Sequence, residues 1–395
     1  MASIPGSHYD VFAGNQTVNF GVTPDPNNVP PPVSGNFNLE VVTNATGTGS
    51  FLTAPGYQGL AILSTDGHTL TALHGTYAVN DVGGNDSIFA GDGNFSIGGA
   101  SGDTITGGTG NNFIDAHLGN QSVVGGSAGN ETIFSGIGDT ILGGAGNETI
   151  GGVAGDSIIG GTGNYFIDAD LGNQSVIGGS GGNGTIWGGA GDTIQGGAGN
   201  VTIGGMAGDT ITGGTGNALI DGHLGNQSIT GGSAGNETIW GGAGDTIQGG
   251  AGNVTIGGMA GDTITGGSGN TFIDADLGNQ SVVGGSGNTT IWGGAGDTIQ
   301  GASGTGSALI GFAGGNQTLW DNGATSTGSD SVFGFNQASG DRVSLNSATD
   351  TTANVLATAT ADAGGNAVLH LNDGSSVTLL GVSVASLNSS FFTTH

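Results

Sequence analysis

From about Gly83 to Trp320 the chain alternates short runs centred on one apolar residue with glycine-rich turns. The run centres Ile114, Val123, Ile133, Ile141, Ile150, Ile158 and Ile167 follow one another at steps of 9, 10, 8, 9, 8 and 9. A surface helix repeats its apolar positions every three or four residues, so this spacing predicts short strands and no helix. Side chains alternate along a strand, which turns the Ile or Val inward and the neighbouring Thr or Ser outward.

A longer period lies over the short one. FIDAHLGNQS starts at Phe113, FIDADLGNQS at Phe166, LIDGHLGNQS at Leu219 and FIDADLGNQS at Phe272, each 53 residues after the last. Such a period means stacked equivalent units. Runs entered by Gly-Asn end at Ile114, Ile133, Ile150 and Ile167, and the runs between them end at Val123, Ile141 and Ile158. Two strands therefore make one coil, in coils of 19, 17 and 17 residues. The predicted fold is all-β: a parallel, β-roll-like β-solenoid with two strands per coil, a 53-residue super-repeat of three coils, and β-rich terminal caps. A coil of three strands is the alternative, and it would stack unlike turns. The Gly-Gly corners are expected where positive φ is needed, since glycine adopts it freely.

Three segments follow. Residues 1–83 read as an N-terminal β module or cap, with strands at NLEVVT and QGLAIL and a proline-rich linker at NVPPPVSG. Residues 84–320 are the repeats, and 321–395 a C-terminal cap.

Composition narrows the partners. The 395 residues include 91 Gly, 30 Asp plus Glu and a single basic residue, Arg342, for a net charge of -29. One Arg cannot neutralise phosphates, which excludes nucleic acid, and an anionic membrane is repelled for the same reason. No apolar run is long enough for a transmembrane helix, so membrane insertion is not expected. Cysteine is absent, which leaves no disulfide and no thiolate metal site. MASIPGSHYDVF has neither the basic nor the apolar region of a secretory signal peptide. No nucleophile elbow, no HExxH and no P-loop lysine occur, and the seven His are scattered, so no enzyme is expected.

Three sets of residues carry candidate chemistry. The runs entered by Asp or Gln carry Asp86, Asp103, Gln121, Asp139, Asp156, Gln174, Asp192, Asp209, Gln227, Asp245, Asp262, Gln280 and Asp297, in the order Asp, Asp, Gln. Carboxylates about 4.8 Å apart on neighbouring coils repel by about 0.9 kcal/mol even in bulk water. A hard cation such as calcium would offset this at the pairs Asp86/Asp103, Asp139/Asp156, Asp192/Asp209 and Asp245/Asp262. The alternative is that each Asp hydrogen-bonds N–H groups of its turn. At the opposite corner, Asn94, Asn111, Asn130, Asn147 and Asn164 predict a structural amide ladder. Asp115 and His117, and Asp221 and His223, sit two residues apart at a corner expected to be solvated. Phe113, Phe134, Phe166, Trp187, Trp240, Phe272 and Trp292 should face outward, a large apolar stripe suited to subunit–subunit contact.

These residues resemble the RTX family, the Gly- and Asp-rich repeats of secreted bacterial proteins, whose nonapeptide is G-G-x-G-x-D-x-U-x. GGMAGDTIT, from Gly204 to Thr212, keeps the Gly pair, the Asp and the apolar residue but moves the third Gly one place. GGAGDTIQ, from Gly188, is one residue short, and GGAGNVTI has Val in place of Asp. The resemblance spans about Gly83 to Trp320 and implies a β-roll-like solenoid and calcium. SDSVFGFNQASGDRVSLNS and GGNAVLHLNDGSSVTLLGVSVASLNSSFF are similar to the uncleaved C-terminal signals of type I secretion substrates. That likeness implies export by the type I machinery to the cell surface or medium. The expectation is a secreted, calcium-dependent structural protein that assembles with itself into a surface layer, filament or matrix. An adhesin for a cell-surface polysaccharide, or an ice-binding solenoid with Thr columns at Thr140, Thr193 and Thr246, is the alternative.

Overall fold

The computed structural model describes residues 7–13, 38–44, 50–52, 58–63, 67, 69–71, 76–303, 305–321 and 328–395. The linker expected at NVPPPVSG lies outside them. The chain divides into two compact units, residues 1–193 with 197–199 and residues 194–196 with 200–395. Each is a parallel β-solenoid, about 14 turns between them, with two strands per coil.

In the first unit one sheet stacks Asn112–Ala116, Asn130–Ser135, Asn147–Gly151 and Tyr165–Ala169, in register through Ile114, Ile133, Ile150 and Ile167. The facing sheet stacks Ser122–Val124, Thr140–Leu142, Ser157–Ile159 and Ser175–Ile177 through Val123, Ile141, Ile158 and Val176. Those core residues are at most 1% exposed. Burying each is worth about 1.5–3 kcal/mol. The parallel pairing also runs back through Gln58–Leu63 to Asn38–Asn44, so coils begin before Gly83. Ser7–Ala13 pairs antiparallel with Asn38–Asn44.

The second unit repeats this arrangement through Ile220, Ile239, Ile256 and Ile273 on one sheet and Ile229, Ile247, Ile264 and Val282 on the other. Its C-terminal segment continues both sheets before closing them. Ser329–Phe333 stacks on Ala308–Phe312, and Ser376–Leu379 stacks on Ser329–Phe333. Ala367–His370 then turns antiparallel. Arg342–Leu345 and Phe392–Thr394 extend the other sheet, and His395 stacks on Trp320 with ring centroids 3.7 Å apart. A seven-residue helix, Thr352–Thr358, packs Val355 inward.

The reason for the Gly-Gly corners differs from the one expected. Gly144 does not have positive φ; a Cβ on it would lie 2.0 Å from the Gly126 carbonyl oxygen one coil away. Backbone rests on backbone there, with Ala145 N–H bonded to Gly126 O at 2.8 Å. Positive φ recurs instead at the residue before each Asp or Gln of the inner column, such as Gly138 before Asp139 and Asn120 before Gln121, and among the Gly-Gly corners Gly285 has it. Glycine and, less easily, asparagine tolerate that conformation.

Gly144→Ala should therefore cost about 1–3 kcal/mol through overpacking. Gly98→Ala, whose added Cβ meets nothing nearer than 3.8 Å, should change stability by less than about 1 kcal/mol. Urea unfolding of the two variants checks the difference.

Candidate functional site

The acidic column lies inside the solenoid. Asp86, Asp103, Asp139, Asp156, Asp192, Asp209, Asp245 and Asp262 are all at most 2% exposed. Strand alternation explains this: each sits two residues before an inward Ile or Val and shares its face. The carboxylates of Asp103, Asp139, Asp156, Asp192, Asp245 and Asp262 each cap their own corner and the neighbouring coil. Asp139 Oδ2 accepts from Gly136 N–H at 2.8 Å, three residues back, and Oδ1 accepts from Gln121 N–H at 2.7 Å. Asp156 takes Val153 and Asp139 N–H in the same way, both at 2.9 Å, and also the Ser135 hydroxyl. Asp103 takes Ala100 and Asp86 N–H, Asp192 takes Gly189 and Gln174, Asp245 takes Gly242 and Gln227, and Asp262 takes Met259 and Asp245. Met206 N–H reaches Asp209 Oδ2 at 2.7 Å.

Gln enters the column where the corner is longer. Gln121 Nε2 donates to Ala116 O and Gln227 Nε2 to Gly222 O, each at 2.9 Å and five residues back. The long corner presents a carbonyl where the short one presents an N–H, so donor replaces acceptor. This accounts for Gln at positions 121 and 227; Gln174 and Gln280 hold the same place with side-chain amides that are buried without a hydrogen bond.

The donors bear on the calcium expected at the four Asp pairs. A hard cation needs six to eight oxygen ligands. In Asp139/Asp156 and Asp245/Asp262 every carboxylate oxygen already faces an N–H, whose positive end opposes a cation. These pairs do not fit a calcium ion as they stand; they match the turn-capping alternative.

Burial without a counter-charge raises the carboxyl pKa values. Desolvation pushes Asp139 and Asp297 up to about 6, against their N–H bonds. Glu131 and Glu237, on inward positions of the opposite sheet, rise to about 7, again through burial first. Glu131 accepts from Asn112 Nδ2 at 2.9 Å and stands in register with Glu148 on the next coil, while its second oxygen is buried without a hydrogen bond. The repeat reading missed these Glu, because their position is filled elsewhere by Tyr165, Val201 or Ala218.

The Asn ladder forms as expected, with Asn147 Nδ2 to Asn130 Oδ1 at 2.9 Å and Asn164 Nδ2 to Asn147 Oδ1 at 3.0 Å. Asp115 and His117 make an exposed local contact, Oδ1 to Nδ1 at 2.8 Å, and Asp221 and His223 pair likewise.

Outside, the aromatic residues face solvent. Phe113, Phe134, Phe166 and Trp187 in the first unit, and Trp240, Phe272 and Trp292 in the second, are 36–53% exposed. Phe113 meets Phe134 edge-on at 5.7 Å, and Phe272 meets Trp292 at 6.3 Å. Phe134 lies over Gly151 and Trp240 over Gly257 on the following coil, where a Cβ would strike the ring. Leu118, Leu171, Leu224 and Leu277 at the long corners are more exposed still. Their recurrence in HLGN and DLGN was the sequence signal for this further column. Among the described residues no helix is long and apolar enough to cross a membrane. Compared with known proteins, the chain matches no family profile and no curated sequence.

Two outcomes follow from the column. Asp139→Asn turns one of two acceptors into a donor facing an N–H and should cost about 1–3 kcal/mol near neutral pH, read by denaturant titration. The raised carboxyl groups bind protons in the folded state that the unfolded chain has released. Stability should therefore fall as pH rises from about 4.5 through about 7. Scanning calorimetry should find a higher melting temperature at pH 5 than at pH 7.5; the reverse slope would contradict the pKa assignment.

Proposed function

We propose that this chain is a secreted structural protein that assembles with copies of itself, side against side, into a layer, filament or matrix component at a bacterial surface. The observation that carries this reading is the outward aromatic set, which flanks the inward Ile at two positions of one sheet and recurs every third coil. Large rings at 36–53% exposure are costly to leave in water, and burying apolar area contributes about 25 cal/mol per Å². A second copy offers the same spacing of rings and glycines, so matching surfaces come from one sequence. The strong negative charge opposes close approach, which makes assembly depend on salt or divalent cations that screen it.

The RTX-like repeats and the C-terminal likeness to type I secretion substrates support the extracellular part of this proposal. The C-terminal residues also complete both sheets of the second unit, so one segment would serve export and capping. Fusing residues 321–395 to a passenger should carry it out of a cell that holds a type I exporter.

One observation favours a second reading, a binding surface for ice or a polysaccharide. Thr210, Ser228, Thr246, Thr263 and Ser281 form an outward column of hydroxyls in register on one sheet. Thermal hysteresis in the purified protein would favour that reading.

The direct test of assembly is the triple variant Trp187→Ser, Trp240→Ser and Trp292→Ser. It should keep the β-rich circular dichroism spectrum and sediment as a monomer under conditions where the parent assembles. Assembly equal to that of the parent would remove the aromatic set as the interface.

A further inference from the structure

Asp81 closes the strand Tyr77–Asp81 and breaks a pattern that the later coils keep. At the equivalent inward position the following coils carry Gly99, Ala116, Ser135, Gly152, Ala169 and Gly188. The position is small because the acidic column crosses it: a Cβ on Gly99 would meet Gln121 Oε1 at 2.3 Å. Ser135 shows which polar group is accepted there, a hydroxyl that donates to Asp156 Oδ2. Asp81 instead sets an acceptor against acceptors. It is 5% exposed, and neither of its carboxylate oxygens has a hydrogen-bond partner.

Asp81, Asp86 and Asp103 each offer an oxygen, all within 4.8 Å of one another, and all three residues are buried. Asp81 and Asp86 flank a corner of four residues, and Asp103 stands on the next coil, where it accepts the Asp86 N–H at 2.9 Å. The chain's one basic side chain, Arg342, belongs to the C-terminal segment and donates to Gln337 O and Asp341 O. No cationic side chain of the repeats can offset three buried carboxylates.

We propose that Asp81, Asp86 and Asp103 hold one hard divalent cation, which ties the corner after Asp81 to the coil that follows. The donors are all oxygen, the preference of a hard cation. Oxygens within 4.8 Å of one another can share one ion, whose opposite ligands stand about 4.6–5.2 Å apart around calcium and about 4.0–4.2 Å apart around magnesium. Backbone carbonyls and water would complete the shell. Both Asp103 oxygens accept N–H groups as in the repeated pairs, but both Asp81 oxygens accept none and are open to a cation. Burial, then Asp103 and Asp86, push the Asp81 pKa up to about 9, so without an ion Asp81 holds a proton that the cation would displace.

The test uses the full-length chain, stripped with chelator and titrated with calcium at pH 8 by calorimetry. The parent should bind one ion more per chain than Asp81→Ala, which installs the residue found at positions 116 and 169. In chelator Asp81→Ala should melt above the parent, and calcium should raise the melting temperature of the parent more than that of the variant. Equal stoichiometry and equal shifts would overturn the site. If Asp81 only shares a proton with its neighbours, Asp81→Asn will match the parent in both chelator and calcium, and that outcome also overturns it. The triple Trp variant keeps the triad and should bind as many ions as the parent, so loss of the assembly reading leaves this one standing or falling by itself.

Discussion

A carboxylate that turns inward and accepts two backbone N–H groups is what allows a coil of 17 residues to bend twice and still stack. The corner of such a coil leaves amide donors pointing into a space too narrow for water-filled solvation. Asp139, bonded to Gly136 and Gln121, serves one donor in its own corner and one on the neighbouring coil. The same bond therefore shapes the turn and fixes the distance to the next turn. The central Ile of each strand fills what remains of the interior, and the Gly-Gly corners bring the coils into backbone contact. Remove the carboxylate and both the bend and the stacking lose their anchor.

This arrangement explains a composition that would otherwise suggest disorder. Glycine is abundant because facing backbones leave no room for Cβ at Gly144 and its counterparts. Acidic residues outnumber basic ones 30 to 1, and many of them stand in the inner column, which demands acceptors, so much of the charge is not at the surface. The cost is desolvation, visible in the raised pKa values of Asp139, Asp297, Glu131 and Glu237. Raised carboxyl pKa values favour the folded state toward the lower end of the range from about pH 4.5 to about 7, opposite to carboxylates held in ion pairs.

Much of the fold was legible in the chain because the 53-residue period and the single apolar residue per run leave few arrangements. Coil lengths of 19, 17 and 17 read from Ile114 to Ile167 are the pairing steps of the sheet. The outward aromatic residues followed from alternation alone. The function of the Asp column was less legible. Spacing shows that Asp139 and Asp156 stack, but not that each faces N–H donors, which depends on the path of the corner. Glu131 and Glu148 escaped notice because nothing in NETI marks Glu as inward when the same position holds Tyr165 or Val201. Asp81 lies before the regular repeats, where no period points to it.

The alternation of long and short corners has a consequence for how such a chain changes length. Gln121 and Gln227 suit only the long corner, and Asp139 and Asp245 only the short one, so a single coil is not an interchangeable part. Removing one coil would bring an acceptor where a donor is required. Removing three leaves every neighbour as it was. FIDADLGNQS recurs unchanged at Phe166 and Phe272, two sets of three coils apart, so an exchange between these copies would remove or add both sets and preserve the order of the corners. The repeat thus permits a change of length in fixed steps, separable from the chemistry of the ends.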